Sequence, residues 1–334
     1  MQPAPWSRFH PERIEEAARR IAGVVEKTPL VRFDCGDERV ALWLKLENRQ
    51  VIGAFKARGA WNQVAQLTDA EREGGVVCTS SGNHGKALAW AAQRLGVRAT
   101  IVMPKNAYAN KIAACREFGA EVVLSETRLA AEEECDRRVK AGATLVHPYD
   151  AERTLLGAGT VGLEVADAMP DVELVLIPVG GGGLASGVSL ALRDRLGTRP
   201  KVFGVEPRGA ATLTRGLAAG APVTIAIESA IQGLTPPYSG RHNIEVCRAT
   251  LDGVLLVDDA DVFLAQRRLV AFGETVEPAG SAACAALFAG KVPEALLAGR
   301  SRANPLRAVA IVSGGNPDPE QIARVRAEVA SAQS

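Results

Sequence analysis

Four consecutive glycines, Gly180–Gly183, lie between the apolar run 173–179 and a segment of helical composition that starts at Leu184. Because glycine has no Cβ, several backbone N–H groups of such a loop can point at one anion. The start of a helix adds its dipole and its unpaired donors. One or two glycines would suffice for a tight turn, so four favour an anion site, and we expect it to hold a phosphate group.

Lys56 is the second residue whose surroundings indicate chemistry, because Gly53, Phe55 and Gly59 lie close to it in the sequence. A lysine in an apolar, glycine-flanked turn is readily desolvated, which lowers its pKa and frees the amine. A free amine forms a Schiff base with an aldehyde, and beside a phosphate site the aldehyde indicated is pyridoxal 5'-phosphate. The alternative is an ordinary surface lysine at a helix N-terminus.

Strand-like and helix-like segments alternate along the chain, and many of the strands are continuously apolar. This pattern predicts an α/β fold with open, mostly parallel twisted sheets flanked by helices. We expect a small domain at 70–149 and a large discontinuous domain at 1–69 plus 150–334, with the cofactor in the cleft between them. The predicted strands are 40–46, 75–79, 98–103, 120–125, 143–147, 174–179, 201–205, 253–257 and 307–312. The predicted helices are 8–22, 56–67, 82–95, 106–118, 129–141, 154–168, 184–195, 261–271, 280–289 and 319–330.

Three glycine-bearing loops follow predicted strands, at 80–85, 180–183 and 313–316. In open α/β sheets, ligands bind beyond the carboxyl ends of the strands. We therefore expect the three loops to converge on one small phosphorylated molecule.

The composition excludes several other classes of protein. The chain has 334 residues with a net charge of +1, so the usual electrostatic argument for a nucleic acid or anionic membrane partner is missing. No apolar run reaches the roughly 18 residues that a membrane span needs. The N-terminus lacks the apolar core of a secretory leader, and the six cysteines form no Cys-x-x-Cys pair. We expect a cytoplasmic protein without a structural metal.

Taken together, the motifs resemble those of the fold type II, tryptophan-synthase-β-like pyridoxal phosphate enzymes. The resemblance is closest to the threonine or serine dehydratase and serine racemase branch. It extends from Thr28 to Asn316, with the motifs in the expected order. The motifs that carry it are Thr28-Pro-Leu30, Lys45-Leu-Glu-Asn48, Gly53-Ala-Phe-Lys-Ala-Arg-Gly-Ala60, Ser80-Ser-Gly-Asn-His-Gly85, Gly180–Gly183-Leu184, Glu277-Pro-Ala-Gly280 and Ser313-Gly-Gly-Asn316.

The resemblance implies a role for each of these positions. Lys56 would bind the cofactor covalently and act as a catalytic base, Phe55 would pack beside its ring, and Asn83 would bond the ring hydroxyl. Ser313 would face the ring nitrogen, and Glu277 would lie near the cofactor. The residues implied to hold the phosphate are Gly180, Gly181, Gly182, Gly183 and Leu184, and those implied to bind the substrate carboxylate are Ser80, Ser81, Gly82, Asn83 and His84.

A serine facing the ring nitrogen affects the expected reaction. A hydroxyl stabilises a protonated ring nitrogen far less than a carboxylate would, so a long-lived carbanion is disfavoured and loss of a β-substituent is favoured. We expect an ammonia-lyase that converts a 3-hydroxy amino acid, which is serine, threonine or a bulkier analogue, into a 2-oxo acid and ammonia. The family also implies a homodimer.

Two alternatives remain open from the sequence. In the serine racemase branch, the serine at position 81 works on the ring face opposite the lysine, so Ser81 is compatible with racemisation; its other role is to bond the loop or the substrate carboxylate. An NAD-dependent oxidoreductase would use Gly181-x-Gly183 and an acid near Glu206, but Ser186 replaces the third glycine of that fingerprint.

Two departures from the branch bear on metal binding and on the substrate. Relatives that bind a divalent cation use a Glu, a carbonyl and an Asp, at positions that correspond to Glu206, Ala210 and Thr212 here. Because Thr212 lacks a carboxylate, we expect no tight cation site. The segment 225–238 also differs from the branch, which either indicates a bulkier substrate or has no effect on the site.

Overall fold

The computed structural model describes residues 4–80, 82–105, 107 and 109–333, which form ten strands and fourteen α-helices. The strands are β1 (Leu30–Phe33), β2 (Val40–Leu46), β3 (Val76–Thr79), β4 (Ala99–Pro104), β5 (Glu121–Ser125), β6 (Thr144–Leu145), β7 (Leu174–Pro178), β8 (Lys201–Pro207), β9 (Gly253–Val257) and β10 (Leu306–Val312). The helices are α1 (Glu12–Ile21), α2 (Lys56–Val64), α3 (Asp69–Gly74), α4 (Asn83–Arg94), α5 (Ala109–Glu117), α6 (Arg128–Lys140), α7 (Glu152–Ala168), α8 (Gly183–Leu196), α9 (Thr212–Ala219), α10 (Arg241–Thr250), α11 (Asp259–Ala271), α12 (Pro278–Phe288), α13 (Glu294–Leu297) and α14 (Pro319–Gln333).

The larger sheet has six strands in the order β1-β2-β10-β7-β8-β9. Every neighbouring pair is parallel except β1 and β2, which are antiparallel. Both faces are covered by helices, which explains why β7 is buried along its whole length. Leu174 and Leu176 pack with α11 and α12 on one face, whereas Val175 and Ile177 pack with α7 and α8 on the other.

The smaller sheet has four parallel strands in the order β5-β4-β3-β6. Its core between α2 and α4 contains Ala57, Ala60 and Val64 together with residues of β3 and β4. Helix α2 therefore packs on the smaller sheet, although it precedes residue 70. The predicted α/β class with two mostly parallel sheets is confirmed, and the domain boundaries stay a prediction.

The sequence pattern did not predict β1, α3, α9, α10 and α13, and it predicted an α1 that starts too early. That helix was expected from residue 8 but begins at Glu12, because His10 has a left-handed backbone with φ 52° and Pro11 precedes the first turn. The six cysteines are free and buried. None of the helices in the described ranges is both long and apolar enough to cross a membrane.

Candidate active site

The four-glycine loop joins the end of β7 to the start of α8, as predicted. Gly182 has a φ of 95°, which favours glycine, and the first helical bond runs from the Ser186 N–H to the Gly182 carbonyl at 2.8 Å. Within the described part of the chain, no acceptor takes the N–H groups of Gly181, Gly182, Gly183 or Leu184. These buried free donors at a helix N-terminus suit a phosphate group.

Two residues that the sequence analysis missed hold this loop in place. The Asn243 side-chain amide donates to the carbonyls of Gly181, at 2.7 Å, and Tyr149, at 3.0 Å. The Tyr149 ring lies so close to Gly181 that a Cβ there would come within 2.2 Å of it. The glycine at position 181 is therefore required by packing.

Lys56 is the first residue of α2. Its Nζ donates to the Pro148 carbonyl at 2.6 Å and lies 5.0 Å from the centre of the Phe55 ring. Burial lowers the pKa of Lys56 to about 8, so a large fraction of the amine is neutral at mildly alkaline pH. Because Tyr149 follows Pro148 and packs on Gly181, the lysine lies beside the glycine loop.

The loop 80–85 connects β3 to α4. The Ser80 hydroxyl accepts hydrogen bonds from the N–H groups of Gly82, at 3.3 Å, and Gly85, at 3.1 Å. His84 is buried, and its Nε2 lies 2.8 Å from the Val146 carbonyl, so Nε2 carries the proton, and Nδ1 has no partner among the residues that the structure describes. Burial, reinforced by the Lys56 charge, lowers the pKa of His84 to about 3. Ser81 lies outside the described residues.

Asn83 and Glu277, which are far apart in sequence, are in direct contact. The Asn83 amide donates to Glu277 Oε1 at 2.6 Å and accepts from the Asn316 amide at 2.9 Å. Burial raises the pKa of Glu277. The start of α4, the start of α12 and the loop after β10 therefore meet in one polar network, in which sequence reasoning gave Asn316 no role.

Ser313 lies at the carboxyl end of β10 and is buried. Its carbonyl accepts the Phe55 N–H at 3.1 Å, and the Gly53 carbonyl accepts the Gly315 N–H at 2.7 Å. The loop after β10 is thus bonded to the segment that leads into Lys56. These contacts bring 53–56 and 313–316 together, as the expected convergence of loops requires.

The carboxylate of Glu206 caps the N-terminus of α9, and its oxygens are engaged there by donors of the first turn. Its carboxylate accepts the N–H groups of Leu213, at 2.7 Å, and Thr214, at 2.9 Å, and also the Thr214 hydroxyl. Burial raises the pKa of Glu206 to about 7. The neighbouring Arg208 pairs with Asp258. Across the described ranges, no group of three or more His, Cys, Asp or Glu residues could hold a metal ion.

The described residues fit pyridoxal phosphate. The free N–H groups of the glycine loop suit its phosphate, and the amine of Lys56 suits its aldehyde. Tyr149 and Asn243, which fix the loop, left no signal in the sequence, because their contacts with Gly181 span 32 and 62 residues of chain.

Comparison with known proteins agrees with this site. The family model described as pyridoxal-phosphate dependent enzyme matches residues 21–314. A phenylserine dehydratase of Ralstonia pickettii is 38% identical over 91% of this chain and 92% of its own length. An L-threonine ammonia-lyase of Thermotoga maritima is 36% identical over 94% of this chain and 77% of its own length. The solved structure of maize serine racemase is 31% identical, with a TM-score of 0.85 over 96% of this chain and 98% of that one.

These likenesses confirm the predicted resemblance, the predicted cofactor and the expectation of an enzyme of the dehydratase and ammonia-lyase type. They leave the NAD-dependent oxidoreductase without support. The chain belongs to the family of pyridoxal-phosphate-dependent enzymes, in its fold type II group.

Proposed function

We propose that this enzyme catalyses the β-elimination of a 3-hydroxy amino acid to a 2-oxo acid and ammonia, with Lys56 as its base. The observation that carries this proposal is the placement of Lys56. Its amine is buried, has a lowered pKa, and donates to the carbonyl of Pro148, the residue before Tyr149, whose ring packs on Gly181 of the glycine loop. Burial lowers the pKa values of both His84 and His147, and the charge of Lys56 nearby lowers them further.

Bound pyridoxal phosphate supplies the electron sink that makes the α-proton of the substrate acidic. The N–H groups of Gly180–Gly183 and Leu184 hold the phosphate, and the start of α4, with Ser80, Gly82, Asn83 and His84, binds the substrate carboxylate. The neutral Nζ of Lys56 takes the α-proton. Ser313 contributes a hydroxyl where a carboxylate would favour transamination, so loss of the β-hydroxyl is the favoured outcome.

We further propose that the substrate has a large apolar side chain. Tyr149 and Tyr238 meet edge to face with ring centres 6.2 Å apart, and His147 packs edge-on against Tyr149 with ring centres 4.7 Å apart. Tyr238 ends the segment 225–238 that departs from the branch. An aromatic wall beside Lys56 favours an aryl or branched side chain, and the relative from Ralstonia pickettii is named for phenylserine.

Three broader features belong to the same proposal. The strands of the smaller sheet all lie within 76–145, which supports a small domain at 70–149 and a large one at 1–69 plus 150–334. The free, buried cysteines support a reducing compartment, and we propose a cytoplasmic enzyme. We propose a homodimer as its assembly, in keeping with the expected family.

A substrate panel tests the proposal. Purified protein loaded with pyridoxal phosphate is given serine, threonine and 3-phenylserine, and 2-oxo acid and ammonia are measured together with the configuration of the remaining substrate. We expect elimination, fastest with phenylserine, and its loss in Lys56→Ala but not in Lys140→Ala, a matched change of an exposed lysine in α6. The proposal fails if no 3-hydroxy amino acid is turned over, or if Lys56→Ala keeps its activity. Racemisation exceeding elimination would favour the racemase alternative.

A further inference from the structure

A fully buried arginine lies two residues after the catalytic lysine. The side chain of Arg58 is 0% exposed, and its guanidinium makes two bonds of 2.8 Å to the carboxylate of Glu47, which is 0% exposed as well. The same guanidinium donates to Glu164 of α7 at 2.6 and 3.0 Å, and to the Thr160 hydroxyl at 3.2 Å. One side chain thus joins the end of β2, the middle of α7 and the first turn of α2.

Two further motif residues complete this cluster. Lys45 Nζ is paired with Glu164 and donates to the Thr28 carbonyl at 2.6 Å, and the Thr28 hydroxyl donates to Glu47. Thr28, Lys45 and Glu47 belong to motifs that the proposed reaction leaves without a role. Two cations and two carboxylates make the cluster neutral as a whole.

Stability alone is a poor reason for such a cluster. Burying charges is expensive, and well-packed apolar residues often stabilise a protein as well as buried ion pairs do. What the forked guanidinium adds is geometry, because it fixes the distance and angle between the elements that carry its two carboxylates.

We propose that Arg58, held by Glu47 and Glu164, is a positioning residue that sets the place of the Lys56 amine. The inference rests on the proposed role of Lys56. Nζ of Lys56 meets the Pro148 carbonyl four residues before α7 begins, and Arg58 bonds to α7 itself. The first turn of α2, which carries Lys56, is therefore fixed at two points of the same stretch of chain: Lys56 bonds to Pro148, and Arg58 bonds to Glu164. Close packing reinforces this, since a Cβ at Gly157 of α7 would lie 2.6 Å from the Arg58 carbonyl.

The test compares two charge-balanced double variants. Arg58→Met with Glu47→Gln removes one cation and one anion and leaves Lys45 paired with Glu164. Arg193→Met with Asp252→Asn makes the same charge-balanced change to a partly exposed pair with an N–O distance of 2.6 Å, near the end of α8 and away from the site. Arg58→Lys is the third variant, because it keeps the charge but lacks the fork that reaches both carboxylates.

Two readouts separate positioning from folding. The first is kcat and KM with the best substrate of the panel. The second uses no cofactor: acetic anhydride labelling of Lys56 across pH in the cofactor-free full-length protein, read by mass spectrometry. In the wild type, labelling should be half-maximal near pH 8. In the Arg58/Glu47 variant the midpoint should rise by about one unit, as the amine gains water, and kcat should fall about tenfold to a hundredfold with little change in KM.

The Arg193/Asp252 control should keep kcat within about twofold of wild type and keep the labelling midpoint unchanged. The kcat of Arg58→Lys should also fall, and this variant tests the proposal if the double variant does not fold. The inference is overturned if Arg58→Lys and the folded double variant keep both the wild-type kcat and the labelling midpoint, or if the control loses as much. If the wild type turns over no 3-hydroxy amino acid, the proposed function is refuted. The labelling would still report on the position of the Lys56 amine.

Discussion

The change Gly181→Ala tests how the phosphate loop is built. An ideal Cβ at this position would lie 2.2 Å from Cγ of the Tyr149 ring and 2.4 Å from both Cδ atoms. Carbon atoms in contact prefer about 3.5–4.0 Å, so the overlap exceeds an ångström at three atoms at once.

The Tyr149 side of this contact cannot yield easily. The Tyr149 carbonyl accepts the Asn243 amide at 3.0 Å, and the Tyr149 N–H lies 3.3 Å from His147 Nδ1. The glycine loop must therefore shift, at a cost of about 1–3 kcal/mol of folding stability. A shifted loop also misdirects its N–H groups. Losing one hydrogen bond to a charged group costs about 1.5–3 kcal/mol, which is roughly a tenfold to hundredfold weaker affinity for pyridoxal phosphate.

The assay is titration of cofactor-free protein with pyridoxal phosphate, followed by its visible absorption, beside a thermal unfolding curve. Gly253→Ala at the start of the edge strand β9 is the matched control, because a Cβ there would come no nearer than 3.2 Å to its neighbours, the ring atoms of Phe203. It should leave cofactor affinity unchanged. Adding Tyr149→Ala to Gly181→Ala should restore part of the affinity by removing the obstructing ring. Wild-type affinity and stability in Gly181→Ala would refute the reasoning, as would a double variant no better than the single one.

Two further predictions concern pH. Burial lowers the pKa of Lys56 to about 8, so the rate at which cofactor-free protein captures pyridoxal phosphate should rise with pH around a midpoint near 8. The rate is measured by stopped-flow absorption, with Nα-acetyl-lysine as the reference for an ordinary ε-amine. A midpoint near 10 would contradict this. His84 has a folded pKa of about 3 against an ordinary 6.5, so between these values the unfolded chain binds a proton that the folded protein does not, and stability is lost as pH falls. In urea unfolding, the stability of the wild type relative to His84→Gln should fall by about 2 kcal/mol between pH 7.5 and 5, whereas a pH-independent difference would argue against a neutral buried imidazole.

The parts of the site that depend on local chemistry could be read from the sequence. A run of four glycines between an apolar strand and a helix favours a tight turn with free N–H groups, and this signal is local to the loop. The reactive role of Lys56 is likewise indicated by its immediate neighbours, Gly53, Phe55 and Gly59. The strand β7 was predictable because burial on both faces demands an unbroken apolar run.

Contacts between distant segments could not be predicted in this way. Asn83 and Glu277 are 194 residues apart, and nothing near either residue indicates that the two side chains meet. The bond between Glu47 and Arg58 crosses only 11 residues, yet it depends on how α2 packs against β2. Strand β1 was missed because it has four residues, follows a proline and lies at the sheet edge. Helix α10 was missed because its apolar positions are few and follow a proline-rich segment.

The order of strands in the larger sheet has a consequence for synthesis on the ribosome. Strand β10, which emerges last, lies between β2 and β7, and Ala310 pairs with Leu44 across more than 260 residues of chain. The smaller sheet needs only residues up to 145 and can assemble while translation continues. The larger one keeps an open gap at its centre until Leu306–Val312 has left the ribosome. Ser313 and Asn316 follow that strand directly, so a nascent chain can complete the vitamin B6 pocket only after residue 316 has left the ribosome.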